Sequence, residues 1–253
     1  MTPSNCYDDA RRAAAYAKLE FHGTYLLAYR DLPSLFERHV HGNRSLDFGC
    51  GTGRSTRFLR AHGFEAVGID IAPDMIARAR AADPAGDYRL VGEGDFTAVG
   101  AGRFALVLAM FTFDNIPSMP LKVQILRGLG ELLGPDGCIV MVVSAPEIYW
   151  HEWVSFSTRD YPENVHAKSG DRVQIIITDI DDTRPVEDVL WTDASYRDTF
   201  RAAGLDLVEM HKPLGRADEP YAWVNEMRVA PWVVYVLQRS IPVTGRESPR
   251  SSS

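Results

Sequence analysis

Asp47 closes a short apolar run and is followed at alternate positions by Gly49, Gly51 and Gly53, within the stretch L-D-F-G-C-G-T-G. A turn so rich in glycine lets bare backbone press against a ligand before a helix opens near Ser55. The spacing is G-x-G-x-G. A turn that cradles a dinucleotide pyrophosphate needs G-x-G-x-x-G, and the bulky Arg54 holds the place of that last glycine. The turn therefore suits a ligand without a pyrophosphate, with Cys50 inside it as a small residue. A second set of reactive types lies far along the chain. Asp114 and Asn115 stand in F-T-F-D-N-I-P, while Tyr149, Trp150, His151 and Trp153 crowd the stretch A-P-E-I-Y-W-H-E-W. His151 has the side chain best suited to act as a base near neutral pH.

The elements that must position these residues alternate. Apolar runs at Ser45–Phe48, Ala66–Ile69, Tyr88–Val91, Leu106–Met110 and Cys138–Val143 read as strands separated by helical stretches, the rhythm of a parallel sheet with right-handed crossovers. Ser55 and Pro73-Asp74 open helices, and a third, Leu121–Leu133, follows Pro120 and stops at Gly134-Pro135. Thr192–Ala203 reads as a helix closed by Gly204, followed by strands at Leu205–Met210 and Trp232–Leu237. The segment from Ser144 to Asp193 is too long for a simple crossover. It reads as an insertion that leaves the sheet beside the ligand crevice expected at strand C-terminal ends, with a hairpin pairing Val173–Ile180 and Val186–Trp191. Asp9–Tyr29 is compatible with a helix carrying Tyr16, Tyr25 and Tyr29. Residues 1–43 thus form a helical cap, 44–240 a core that includes the 144–193 insertion, and 241–253 a disordered polar tail.

Asp47 two residues before G-x-G-x-G, followed by Gly68-Ile69-Asp70-Ile71, resembles the first two motifs of the class I S-adenosylmethionine-dependent methyltransferases. Gly94-Asp95-Phe96 resembles the third, Phe104 to Met110 the fourth strand, with Ala105 where an Asp is usual, and Leu132 to Val143 the fifth. The likeness covers about residues 44 to 143. It implies an α/β fold: a Rossmann-like seven-stranded sheet, mostly parallel, with an antiparallel last strand and helices on both faces. It also implies cofactor contacts from Asp47, Gly49, Cys50, Gly51 and Gly53 at the turn, and from Asp70 to the ribose hydroxyls, with Ile71 and Met75 beside it. Gly94, Asp95 and Phe96 would meet the adenine, Met110 and Phe111 the centre, and Tyr16, Tyr25 and Arg30 the methionyl end. An aromatic ring near the sulfonium gains roughly 0.5–2 kcal/mol from the cation over its face.

Methyl transfer is an in-line displacement, so holding the reacting atoms at about 3–3.5 Å and excluding water are its main demands. A phenol or protonated amine also benefits from a base, and His151, Asp114 and Tyr149 are the catalytic candidates. Phe113, Asn115, Trp150, Trp153 and Trp191 are the candidates for holding a flat aromatic acceptor. The D-N-I-P stretch lacks the Pro-Pro-aromatic sequence that enzymes methylating a flipped base use.

A net charge of −7 over 253 residues disfavours a nucleic-acid phosphate backbone as partner. No apolar stretch reaches the roughly 20 residues a membrane span needs. The expected protein is soluble and cytoplasmic, a monomer or homodimer acting on a small molecule. Cys6, Cys50 and Cys138 lack ligand spacing, the histidines show none, and Asp179, Asp181 and Asp182 read as a solvated hairpin turn, so no metal is expected. Protein methylation, or use of the bound cofactor for other chemistry, stays open as an alternative; a nicotinamide oxidoreductase is disfavoured by Arg54.

Overall fold

Among the described residues, seven strands form the main sheet. In the computed structural model, which describes residues 21–99 and 103–240, its parallel part runs through β1 (Arg44–Phe48), β2 (Glu65–Asp70), β3 (Asp87–Leu90), β4 (Phe104–Met110) and β5 (Leu133–Ser144). β9 (Leu205–His211) and β10 (Trp232–Arg239) complete it in the order β3-β2-β1-β4-β5-β10-β9, and β10 runs antiparallel to both β5 and β9. This is the mostly parallel sheet with a reversed closing strand that the sequence predicts.

Period-two alternation sends the sheet's side chains to two cores. Leu106, Leu108, Met110, Val140 and Val142 face one side with α1 (Thr24–Tyr29), α2 (Leu32–His39) and α3 (Arg54–Ala61). Val107, Ala109, Ile139, Met141 and Val143 face the other, against α5 (Met119–Leu132) and α6 (Asp193–Ala203). α4 (Pro73–Ala82) flanks β2 and β3. Helix signals mark their ends as expected: Pro73 opens α4, Thr192 caps α6 by accepting from Ser195 N, and Gly204 closes it at φ 75°.

Three features depart from the sequence reading. The helix expected to run through Asp9–Tyr29 begins, in its described part, only at Thr24. Gly23 precedes it at φ 59°, where a Cβ would lie 2.3 Å from Ser155 Oγ. A further helix, α2, follows at once. β5 starts at Leu133 rather than Cys138, because a register shift between Phe104 and Leu106 lets β4 pair with the preceding turn. The expected hairpin is β7 (Arg172–Ile177) with β8 (Val186–Val189), extended by β6 (Phe156–Ser157) into a separate three-stranded antiparallel sheet. Its buried residues, Val173, Ile175, Ile177 and Val186, join the core beneath α1. No helix among the described residues is long and apolar enough to cross a membrane. Tyr16, Cys6 and the tail 241–253 lie outside the described residues.

Candidate active site

β1, β2 and β4 end at one edge of the sheet, and the chain turns there over a cavity of about 660 Å³. The first turn is held by main-chain bonds: Gly49 N and Cys50 N both donate to Ile69 O at 2.9 Å, and Gly53 N donates to Cys50 O at 2.9 Å. Gly49, Gly51 and Gly53 all have positive φ. A Cβ at Gly49 would strike Thr112 at 2.4 Å, whereas one at Gly51 would meet open space, so Gly51 is where bare backbone faces the cavity. Gly53 points elsewhere. A Cβ there would lie 2.7 Å from Tyr88 Oη, so its role is close packing of α3 on the sheet rather than ligand contact.

Two carboxylates serve this turn differently. Asp70 lines the cavity, and its oxygens accept from Gly51 N and Ala72 N, each at 2.8 Å. Asp47 lies beneath the turn and off the cavity wall; its Oδ2 accepts from Ser55 Oγ at 2.7 Å and Thr56 Oγ1 at 2.6 Å, tying β1 to α3. Burial pushes Asp47 up to about 6. Its Oδ1 is buried without a hydrogen-bond partner among the described residues. Ile71, Met75, Gly94, Met110, Phe111 and Cys50 all line the cavity. Burial drives the Cys50 thiol far up, leaving it inert as a nucleophile.

Several expected contacts are not brought to the cavity. Asp95 is exposed, and its Oδ1 accepts from Thr97 N and Oγ1 at 2.9 and 2.7 Å; it caps the short turn Thr97–Val99 while Glu93 and Gly94 form the wall. Phe96 packs against Gly128 of α5 instead. Arg30 is held by Asp31 at 2.8 Å and Glu219 at 2.6 Å, a pairing that raises its basicity further. Two arginines do line the wall: Arg172, paired with Glu187, and Arg54, whose guanidinium lies 5.1 Å from the Tyr25 ring centre and 5.4 Å from that of Tyr29. Sequence reasoning used Arg54 only to exclude a pyrophosphate.

The far half of the cavity is aromatic. Tyr25 lies 5.1 Å from Phe156 and 5.9 Å from Trp232, and Phe111 lies 4.7 Å from Trp232, ring centre to ring centre. Trp232 Nε1 donates to Thr24 O at 2.8 Å, fixing the box to the cap. Phe111 sits at φ 60°, a left-handed conformation uncommon outside glycine, and holds it through its N–H to Val142 O at 2.8 Å. Phe156 and Trp232 were not anticipated, since single aromatics inside strands carry no spacing signal. Of the aromatic acceptor contacts expected, none lines the cavity. Phe113 is buried against Phe48, Trp153 donates to Ile148 O, Trp150 to Asn164 O, and Trp191 covers Lys122. His151 is likewise off the wall, its ring edge-on to Trp153 at 6.0 Å. The short helix Pro146–Tyr149 ends with Tyr149 on the wall, and His151, two residues on, is not brought there.

Asp114, Asn115 and Tyr149 do line the cavity, together with Asp188 of β8, which sequence reasoning missed. Asp114 Oδ2 accepts from Ser144 N and Oγ at 3.0 and 2.9 Å. Tyr149 Oη donates to Asp188 Oδ2 at 3.0 Å. Asn115 Nδ2 donates to Phe111 O. Lys122 is wholly buried behind this group, donating to Phe113 O, its ammonium 5.0 Å from the Trp191 ring centre and 5.6 Å from that of Tyr196. Burial pushes both carboxyls up and Lys122 down; their mutual repulsion raises Asp188 further, and the opposite charge of Lys122 partly offsets it.

Residues 20–210 match the family described as methyltransferase domain. A 111-residue stretch is 38% identical to the ubiquinone biosynthesis O-methyltransferase of Azorhizobium caulinodans, covering 42% of each chain. The chain thus spans about two fifths of the length of the curated relatives it matches. Among solved structures, the CcbJ methyltransferase of Streptomyces caelestis superposes with a TM-score of 0.63 at 19% identity, covering 90% of this chain and 96% of that one. An S-adenosylmethionine-dependent methyltransferase of Clostridium acetobutylicum does so with 0.62 at 11%, covering 93% and 100%. At such identities the likeness is one of fold.

Proposed function

The chain belongs to the S-adenosylmethionine-dependent methyltransferases, with their class I fold, and on that premise we propose that it moves a methyl group to nitrogen, oxygen or carbon of a small aromatic metabolite. The observation that carries this reading is the continuity of one cavity from the Gly51–Asp70 turn to the ring box of Tyr25, Phe111, Phe156 and Trp232.

The residues present fit the cofactor. Gly51 leaves open space where any other residue would carry a Cβ, beside a carboxylate fixed by two main-chain amides. Asp70 is placed to take the ribose hydroxyls, a charge-assisted pairing. Arg54 is the partner for the methionyl carboxylate in place of Arg30, and the unsatisfied Asp47 Oδ1 gives the turn a negative potential that suits the α-ammonium. Bound S-adenosylmethionine supplies an electrophilic methyl group on a positively charged sulfur. The aromatic box stabilises that charge and keeps water from the acceptor. A small acceptor is supported by the relatives named for ubiquinone biosynthesis O-methylation, and an aromatic one by the rings.

The test is incubation of purified protein with methyl-labelled S-adenosylmethionine and a mixture of aromatic metabolites. Label in the acid-soluble fraction is the expected result. Label confined to precipitated protein, or none transferred, would contradict it.

A further inference from the structure

We infer that the acceptor is an apolar amine and that Asp188 is the catalytic carboxylate that receives its nitrogen and takes its proton. The inference rests on the methyl-transfer reading and goes beyond it by naming the acceptor class and the base.

Among the rings and aliphatic side chains of the acceptor half stand the uncharged polar Asn115, Ser144 and Tyr149, the Arg172–Glu187 pair and two buried carboxylates. Asp188 and Asp114 reach its wall from β8 and from the short turn Thr112–Asn115. Both oxygens of Asp114 accept from Ser144. Among the described residues, Asp188 is bound at Oδ2 by Tyr149 and at no other oxygen, which leaves Oδ1 for a ligand. The cations nearby are aimed elsewhere. Lys122 is off the wall and gives its ammonium to Phe113 O and the surrounding rings; Arg172 lines the cavity but pairs with Glu187; and Arg54 lies among Tyr25 and Tyr29 at the cofactor end. A carboxylate facing an apolar cavity calls for a ligand that brings positive charge and N–H donors. An ammonium brings both. A carboxylate or phenolate acceptor would be repelled by Asp114 and Asp188 together, and a neutral hydroxyl would leave the charge uncompensated.

The chemistry balances without another reactant. The ammonium passes one proton to Asp188 Oδ1, giving a neutral amine and a carboxylic acid. The nitrogen lone pair then forms the N–C bond as the C–S bond breaks, its electron pair staying on sulfur as S-adenosylhomocysteine leaves. The methylated product is again an ammonium, and the proton on Asp188 is released to water when the site opens. Burial favours the first step, because the neutral pair suffers less desolvation than the ion pair it replaces. The same burial already pushes the Asp188 carboxyl upward.

The test is calorimetric titration of the protein saturated with S-adenosylhomocysteine, comparing benzylamine, phenethylamine and tryptamine with benzyl alcohol, 2-phenylethanol and tryptophol. At least one amine should bind about tenfold or more tighter than its alcohol. Asp188→Asn should abolish that preference while S-adenosylhomocysteine affinity stays within about twofold, since Asn retains an oxygen for Tyr149. Alcohols binding as tightly as amines, no amine binding at all, or a preference that survives Asp188→Asn overturns the inference. The wild-type comparison needs no variant to fold. Failure to bind S-adenosylhomocysteine, by contrast, strikes the underlying methyl-transfer reading.

Discussion

The two halves of the cavity are built from different materials. At the proposed cofactor end, three short contiguous stretches line the wall: 49–52 in the glycine turn, 69–71 at the end of β2 and 91–94 after β3. Main-chain bonds from Gly49, Cys50, Gly51 and Ala72 hold it in place. At the acceptor end, Tyr25, Phe111, Tyr149, Phe156, Asp188 and Trp232 come from distant parts of the chain and contribute side chains. What holds that end together is Glu226, fully buried. It accepts from Thr24 Oγ1 (2.7 Å), Val154 N (2.8 Å), Val224 N (2.8 Å) and Asn225 N (3.1 Å), joining the cap, the insertion and the loop before β10. A site made of short segments at strand ends is fixed by the sheet edge and the main-chain amides that carry it. A site made of side chains depends on a tie elsewhere.

That contrast can be broken first at the tie. Glu226→Ala leaves four donors without an acceptor and should cost about 3–4 kcal/mol, read as a thermal midpoint lowered by roughly 6–16 °C. A midpoint within a degree of the wild type would mean the acceptor end needs no such tie. At the proposed cofactor end, Asp70→Ala should weaken S-adenosylhomocysteine by about 1–3 kcal/mol in calorimetry and lower the midpoint less than Glu226→Ala does, since it leaves two amides rather than four donors unpaired.

The cap offers a smaller test through pH. Asp31, at the α1–α2 junction, is pulled down to about 2, chiefly by Arg30 and then by His211 at the end of β9. A carboxylate depressed in the folded state stabilises above its unfolded pKa of about 3.9 and loses that contribution as pH falls through the folded value. Asp31→Asn should therefore cost about 1–2 kcal/mol at pH 7 and almost nothing near pH 2, as measured by denaturant unfolding. The smallest effect belongs to a residue off the wall. His151→Gln should leave both S-adenosylhomocysteine affinity and turnover within about twofold, and a loss of turnover of about a hundredfold or more would restore it as the base.

Legibility followed the same division. The apolar run Leu106 to Met110 and the punctuation by Pro73, Pro120 and Gly204 correspond to a strand and to helix ends in the structure. Gly51 and Asp70 line the cavity where the motif puts them, because the turn and the end of β2 are held by local main-chain amides. Asp95 and Phe96 were misplaced because a motif fixes a loop's location but not the direction of each side chain. Arg30 lost its expected role to its neighbour Asp31 and to Glu219, the latter nearly two hundred positions away and beyond the reach of local pattern. Asp188 did leave a trace. In V-E-D-V it shares a strand face with Val186, and a charge on an apolar face signals a buried site. Lys122 left the same trace on the helix face of Ile125, Leu126 and Leu129.

The most direct measurement is calorimetric titration of the folded protein with S-adenosylhomocysteine, with Asp70→Ala and NADH in parallel. Saturable binding at one site per chain, weakened by Asp70→Ala and not reproduced by NADH, is the predicted result. Folded protein that ignores S-adenosylhomocysteine, or binds NADH in its place, would contradict the assignment of the Gly51–Asp70 turn as the cofactor site.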